Sequence, residues 1–293
     1  MAADGGAGTV IRAAALLSII GWAAVMGRAQ ERPLFRVGVE VVELDVSVTR
    51  GGQAIAGLTA RDFALTDNGV AQQIDSVTLD ALPLSVLLAL DTSESVAGER
   101  LRHLMDAGDG LLRALRGDDR VALLTFSHAI DLTVPMTNDV GLVSQRLHAI
   151  QPTGSTALHD AVQIAIDLRP RDRSRALLLV FTDGQDTSSW LSSKAVLDSA
   201  RRAAIVVHVV RVESDAFLDQ LADVTGGRTW SATSDRQLRE LFTQALEEMR
   251  ARYLITYTPR GVSKPGWHEL KVRVKAGGAD VIARPGYFVT AVR

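Results

Sequence analysis

The stretch Leu84–Ser95, LSVLLALDTSES, decides how this chain is read. Leu84 to Leu90 is an almost unbroken apolar run of strand length, as expected of a strand covered on both faces. Polarity then switches at once to Asp91-Thr92-Ser93-Glu94-Ser95. Three further runs share the character of the first: Val121–Phe126, Ala176–Phe181 and Ile205–Val210. Amphipathic helix patterns lie between and after them. Leu101, Leu104, Met105, Leu111, Leu112 and Leu115 follow the i, i+3, i+4, i+7 rule, with Gly117 as the stop. Leu158, Ala161, Val162, Ala165 and Ile166 form a second stripe, Val196, Leu197 and Ala200 a third, and Leu238, Leu241, Phe242, Ala245, Leu246 and Met249 the last. The alternation predicts an α/β domain over residues 81–252, with a doubly wound, mostly parallel sheet and right-handed crossovers.

Outside that block the texture is β. Residues 30–80 read as a small N-terminal β unit: Phe35–Thr49 alternates with a slip at Val41-Val42 that suggests a bulge, Thr59–Asp62 resembles a capping box, Asp67-Asn68-Gly69 is a turn signal, and Val70–Leu79 reads as further strand. Residues 253–293 read as a C-terminal β extension, with Tyr253–Thr258, Glu269–Lys275 and Val281–Ala283 strand-like; too few strands lie in either segment alone, so the two are expected to pair. Residues 1–29 read as a signal peptide. The run Ala13–Met26 follows Arg12, is too short to span a bilayer, and ends in Gly27-Arg28-Ala29. The expected localisation is therefore exported: periplasmic, cell-surface or secreted, with no membrane span in the mature chain.

Composition narrows the function classes. The chain has 293 residues, 47% hydrophobic and 23% charged, with 24 Gly and 8 Pro, which is ordinary for a globular protein. A net charge of -2 with scattered Lys and Arg offers no footprint for nucleic acid. With no cysteine, disulfides, thiol catalysis and Cys zinc sites are excluded.

In an open α/β sheet, ligands bind at the carboxyl ends of the strands. Neither a G-x-G-x-x-G dinucleotide loop nor a Gly-rich loop ending in Lys follows the first run. Instead, Asp91, Ser93 and Ser95 stand at alternate positions of a turning loop and offer three oxygens, a set suited to a hard cation such as Mg²⁺. Gly154-Ser155-Thr156 precedes the second helix, where Thr156 alone reads as an N-cap. Thr182-Asp183-Gly184 follows the third run, where Asp183-Gly184 alone reads as a turn.

Together and in this order, DTSES, GST and TDG resemble the von Willebrand factor type A domain with its metal-ion-dependent adhesion site, over roughly Leu82 to Tyr253. The flanking β segments and the phrases YLITYTP and RPGYF are similar to an exported bacterial subgroup of that family. The resemblance implies a metal site made of Asp91, Ser93, Ser95, Thr156 and Asp183. Ser93 and Ser95 would bind directly through their hydroxyls, and Thr156, Asp91 and Asp183 directly or through water. Mg²⁺ is the expected cofactor, with Mn²⁺ or Ca²⁺ as other candidates. With at most two carboxylates on a doubly charged ion, such a site is a receptor for an exogenous acid, since opposite charges about 4 Å apart attract by roughly 4 kcal/mol at an effective dielectric near 20. The expected function is thus a metal-dependent, adhesion-type module that binds a protein ligand offering an Asp or Glu carboxylate. The alternatives are a structural subunit of a cell-envelope assembly and a Mg²⁺-dependent hydrolase. Enzyme chemistry is not expected: Ser93 stands where an aspartate phosphotransferase would place a second acid, the nearest cation, Arg100, is assigned to the helix side, and no G-x-S-x-G elbow is present.

Other features are weighed against plain structural roles. Asp160 is read as support behind the ligands, Glu94 and Asp186 as solvated loop residues, His128 as a turn residue and His159 as a helix-start residue. Arg116-Gly117-Asp118 is read as the exit from a helix, Arg169–Arg175 as a solvated loop, and Trp190 as either rim of the site or packing. The resemblance also implies that the last helix, Asp235 to about Arg252, can move when the site engages.

Overall fold

The computed structural model describes residues 41–290 apart from 80, 81, 173 and 263; the signal segment 1–29 and the expected strand residues 35–40 lie outside the described residues. Strands β1 (Val42–Arg50), β2 (Gln53–Ala54), β3 (Phe63–Asp67), β4 (Val70–Gln72) and β5 (Ile74–Leu79) come first. The α/β part then runs β6 (Leu84–Asp91), α1 (Glu99–Ala114), β7 (Arg120–Phe126), β8 (Ile130–Thr137), α2 (Val140–Leu147), α3 (Leu158–Asp167), β9 (Arg175–Thr182), α4 (Ser193–Ala200), β10 (Val206–Arg211), α5 (Ala216–Thr225), β11 (Thr229–Ser231) and α6 (Leu238–Arg250). Strands β12 (Tyr253–Tyr257), β13 (Gly266–Val274), β14 (Asp280–Ile282) and β15 (Gly286–Val289) close the chain.

The α/β sheet has six strands in the order β11-β10-β9-β6-β7-β8. All neighbours are parallel except β8, which returns antiparallel to β7 at the edge, where Pro135 is tolerated. β6 and β9 are buried at every position, which is why they read as continuous apolar runs. One face packs Leu84, Val86, Leu88 and Leu90 under α1, α2 and α6; the other packs Leu87 and Ala89 under α3, α4 and α5. The fold is doubly wound and mostly parallel, as the alternation implies. Helices α2 and α5 and strands β2, β3, β8, β11 and β15 lie outside the expected elements. α5 nonetheless carries readable ends: Asp215 accepts from the Phe217 amide at 2.7 Å, and Gly226 closes the helix at φ 71°.

The flanking segments interleave. β1 pairs with β12 and β14, and β12 with β5, all antiparallel; β13 pairs with β3 and β15, and β3 with β4. The expected continuous strand Val70–Leu79 is two strands in two different sheets, parted at Gln73. Both sheets face one shared core that includes Leu44, Val46, Phe63, Leu65, Tyr253, Ile255 and Leu270. Inside it, buried Asp67 accepts from Tyr257 at 2.9 Å, from Tyr287 at 2.8 Å and pairs with His268 Nδ1 at 2.8 Å.

Candidate metal centre

The strand order reverses on either side of β6: the chain leaves it towards β7, then returns past it to β9. The crevice at that switch point is where an open α/β sheet takes its ligands. The loop after β6 carries Asp91, Ser93 and Ser95; the loop after β9 carries Asp183. Parallel register through Leu90 and Phe181 sets the ends of these strands side by side.

The carboxylate of Asp91 is fully buried and accepts from the Thr182 hydroxyl at 2.6 Å and the Ser93 amide at 2.9 Å, with the Ser93 hydroxyl beside it. The Ser93 and Ser95 hydroxyls are 3.0 Å apart, and Ser95 donates to Asp183 at 2.7 Å. Four of the five expected ligands therefore lie in one network. Thr156 is not bonded to these four; its backbone pairs with Thr187, and only the loop before it is tied to the loop after β6. In the preceding loop, the Thr153 amide donates to Thr92 carbonyl at 2.9 Å and Gly154 carbonyl accepts from Glu94 at 3.1 Å, while Thr156 carbonyl accepts from Thr187 at 2.9 Å. Gly154 is required here: its φ is 72°, and a Cβ would stand 2.0 Å from His128 Nδ1. Asp91, Ser93, Thr156 and Asp183 are buried and Ser95 is exposed, so the cup opens to solvent on the Ser95 side.

Burial pushes the Asp91 carboxyl above its ordinary range, and the charge of Asp183 pushes the same way against the Thr182 and Ser93 hydrogen bonds. Neutral hydroxyls and an adjacent acid leave that carboxylate short of positive charge. Asp183 has found a cation within the chain: Arg100, in the first turn of α1, pairs with it through Nη1 and with Asp235 through Nε at 3.0 Å. Arg100 is thus not simply on the helix side. Its partner Asp183 lies 83 positions further along the chain, so no local pattern marks the contact. Asp235 opens the 3-10 turn leading into α6, so one guanidinium links the cup to the start of the last helix. The far end of that helix is pinned by Glu248, which accepts from Arg252 at 2.8 Å and Arg228 at 3.1 Å.

The residues weighed beside the site take other roles. The Asp160 carboxylate accepts from the Trp190 and Leu191 amides, each at 2.9 Å, so it braces the loop after Asp183 instead of backing the ligands. Asp186 is not a plain solvated residue: it accepts from the His159 amide at 3.2 Å and from the Ser189 hydroxyl at 2.5 Å. These bonds hold a short loop whose Trp190 side is 96% exposed. His159 packs edge-on against Phe217 at 4.4 Å. Arg116 to Asp118 makes the turn between α1 and β7. Among the described residues, no group of three or more His, Cys, Asp or Glu gathers to hold a metal; the oxygens of this cup are mostly hydroxyls.

The von Willebrand factor type A domain model matches residues 86–185, from within β6 to just past Asp183. The chain contains a von Willebrand factor type A domain. Among curated relatives, inter-alpha-trypsin inhibitor heavy chain H2 of Sus scrofa is 26% identical over 138 residues, which is 43% of this chain and 15% of that protein. The chain thus spans a small fraction of the length of that relative. Among solved structures, a von Willebrand factor type A protein from Catenulispora acidiphila aligns at TM-score 0.51 and 11% identity, over 87% of this chain and 76% of that one. Proximal thread matrix protein 1 of the mussel byssus, with a zinc-occupied MIDAS motif, aligns at TM-score 0.51 and 13% identity, over 62% and 49%. At these identities the type A structures establish the shared fold. Among the described residues no helix is long and apolar enough to cross a membrane.

Proposed function

We propose that this chain is an exported binding protein whose type A domain holds a divalent cation between Asp91, Ser93, Ser95, Thr156 and Asp183 and presents it to an acidic residue of a protein partner. The observation that carries the reading is the continuous chain of contacts from Ser93 to Ser95 to Asp183, beside a buried Asp91 that has no cation of its own. The donor set suits a hard ion: two carboxylates and neutral hydroxyls, with no sulfur or imidazole. Mg²⁺, or Mn²⁺ or Ca²⁺ in its place, would supply the charge that this set lacks and a coordination position for the partner's Asp or Glu.

The chain's own groups have distinct tasks. Thr182 and the Ser93 amide fix the Asp91 carboxylate in one orientation. Ser95, exposed, lies at the mouth through which a partner's side chain enters. Arg100 neutralises Asp183 and so competes with a cation for it. Trp190 stands clear of the surface on a loop fastened by Asp160, which suits a partner-binding anchor: aromatic, held at its backbone amide, and with nearly all of its apolar surface left for a partner to cover. Export rests on the sequence of residues 13–29. Binding is favoured over catalysis because the Ser93 and Ser95 hydroxyls face each other and Asp183, and among the described residues no histidine bonds either hydroxyl.

The test is capture of partners from a cell-envelope extract by the full chain, with Mg²⁺ and with EDTA, for wild type and Asp91→Ala. Capture that needs Mg²⁺ and is lost in Asp91→Ala supports the proposal. Capture indifferent to both supports a structural subunit instead, and Mg²⁺-dependent turnover of a phosphate ester that Asp91→Ala abolishes supports a hydrolase.

A further inference from the structure

The opposite end of the parallel sheet carries a second polar site. β9 begins at Arg175, and a strand of its length separates this end from Asp183 by roughly 20 Å or more. A cavity of about 450 Å³ opens here between the amino-terminal ends of β9 and β10 and the strands β1 and β12. Four arginines line it: Arg169, Arg171, Arg175 and Arg284. The Arg-rich stretch read as a solvated loop is in part the wall of this cavity.

Arg175 is 4% exposed, yet only part of its fork is used. Its Nε bonds Asp45 at 2.7 Å and its Nη2 bonds the Met249 carbonyl at 3.0 Å, while Nη1 is buried with no hydrogen-bond partner. Arg284 repeats the pattern: Nη2 bonds the Glu43 carbonyl at 2.8 Å, and Nε is buried with no hydrogen-bond partner. An unmade bond at a buried charged donor is costly, so an acceptor in the cavity that either side chain meets by a small turn of its guanidinium would be favoured. The charges agree. Asp45 is matched by Arg175, and Asp172 by Arg120. The described lining then retains Arg169, Arg171 and Arg284 against Glu43 alone, an excess of two positive charges. Burial also holds the Arg284 guanidinium below its ordinary range, against the pull of Asp45, which a bound anion would offset.

From these observations we infer that the cavity is a binding site for a small dianion, with Arg175 and Arg284 as its deep donors and Arg169 and Arg171 at its rim. Guanidinium forks match carboxylate and phosphate oxygens equally in geometry, so the shared chemistry is a phosphate monoester or a dicarboxylate. The site lies at the seam between the flanking strands and the α/β domain, so an occupant clamps the two together. It does not depend on the metal reading at the other end.

The test uses the full chain in EDTA, so that nothing at the far cup contributes. Melting and calorimetric titration are run with inorganic phosphate and with succinate, each against sodium chloride of equal ionic strength. The expected result is saturable stabilisation by at least one probe, with affinity falling tenfold or more in Arg284→Gln and several-fold in Arg171→Ala. Arg171 is exposed, so its variant folds and keeps the test decisive if Arg284→Gln does not. A stronger response to phosphate assigns a phosphate monoester, and a stronger response to succinate a dicarboxylate. No stabilisation beyond chloride, or equal stabilisation in wild type and both variants, overturns the inference.

Discussion

Two buried aspartates make opposite use of one side chain. Asp67, between the flanking sheets, faces Tyr257, Tyr287 and His268, and its site is closed by the chain itself. Asp91, at the head of the type A sheet, has the Thr182 hydroxyl, the hydroxyl and amide of Ser93 and a neighbouring acid, in a cup that opens at Ser95. Burial penalises a carboxylate in either place. At Asp67 the offset is internal, so the group is a structural fastener. At Asp91 the offset is incomplete, which is why the group is proposed as a receptor. What separates a fastener from a ligand site is whether the fold surrounds the carboxylate with partners of its own, not how deeply the acid is buried.

The largest effect sharpens this contrast directly. Asp67→Ala leaves buried Tyr257 and His268 and half-buried Tyr287 without their shared partner and should cost about 3 kcal/mol, seen as a clear drop in the denaturant midpoint. Asp91→Asn removes a carboxylate whose charge the apo fold opposes, so without metal its stability should equal or exceed wild type. If both variants lose stability alike, the distinction fails.

Next comes the partner face. Trp190→Ala should leave folding within about 0.5 kcal/mol of wild type, since the side chain touches little. Capture of the Mg²⁺-dependent partner should nonetheless weaken by about 2 kcal/mol, roughly thirtyfold. Undiminished capture by this variant would remove Trp190 from the interface.

The two aspartates also predict different pH limits. Burial and the bonds to Asp67 push the Tyr257 phenol upward and the Tyr287 phenol up to about 12 from 10.0. Acids with raised folded-state values keep their contribution below the unfolded value and lose it above. The β core should therefore weaken as pH rises from 10 towards 12, read as a falling melting temperature that Tyr287→Phe blunts. At the cup the limit is acidic. Asp91 is raised above 3.8, so protonation there should weaken cation binding at a pH above the ordinary carboxylate range, as calorimetry across pH 4 to 7 would record.

The smallest effect concerns Arg100. Its bond to Asp183 is partly exposed, so Arg100→Gln should cost stability by no more than about 1 kcal/mol. It should raise cation affinity several-fold, because Asp183 is then free of its internal partner. Unchanged or weaker affinity would mean that Arg100 does not compete.

How much of this was legible in the sequence follows from where each signal lies. β6, β9 and the helix stripes were readable because both faces of the sheet are buried, which writes the strands as apolar runs. The cup's loops were readable from short motifs placed immediately after those runs. What escaped depends on distance in space. Arg100 reaches Asp183 across 83 positions, and Thr182 reaches Asp91 across 91, so no local pattern marks either bond. Asp160 sits near the ligands in sequence order but is turned to the Trp190 loop by its place on α3. The split of Val70–Leu79 between two sheets is likewise settled by partners at β3 and β12, nearly two hundred positions apart in the case of β5. The Asp67 cluster joins residues from both chain ends and gives no local sign at all.

Asp91 and its hydroxyl neighbours are proposed to take a cation that no described residue supplies to Asp91. The most direct test is calorimetric titration of Mn²⁺ into the full chain, for wild type and Asp91→Asn, with melting curves taken at each step. The account predicts one saturable site in wild type, with melting stability rising by about 2.7 kcal/mol at a hundredfold excess over the dissociation constant, and neither effect in Asp91→Asn. Absence of binding in wild type, or equal binding in the variant, would contradict it.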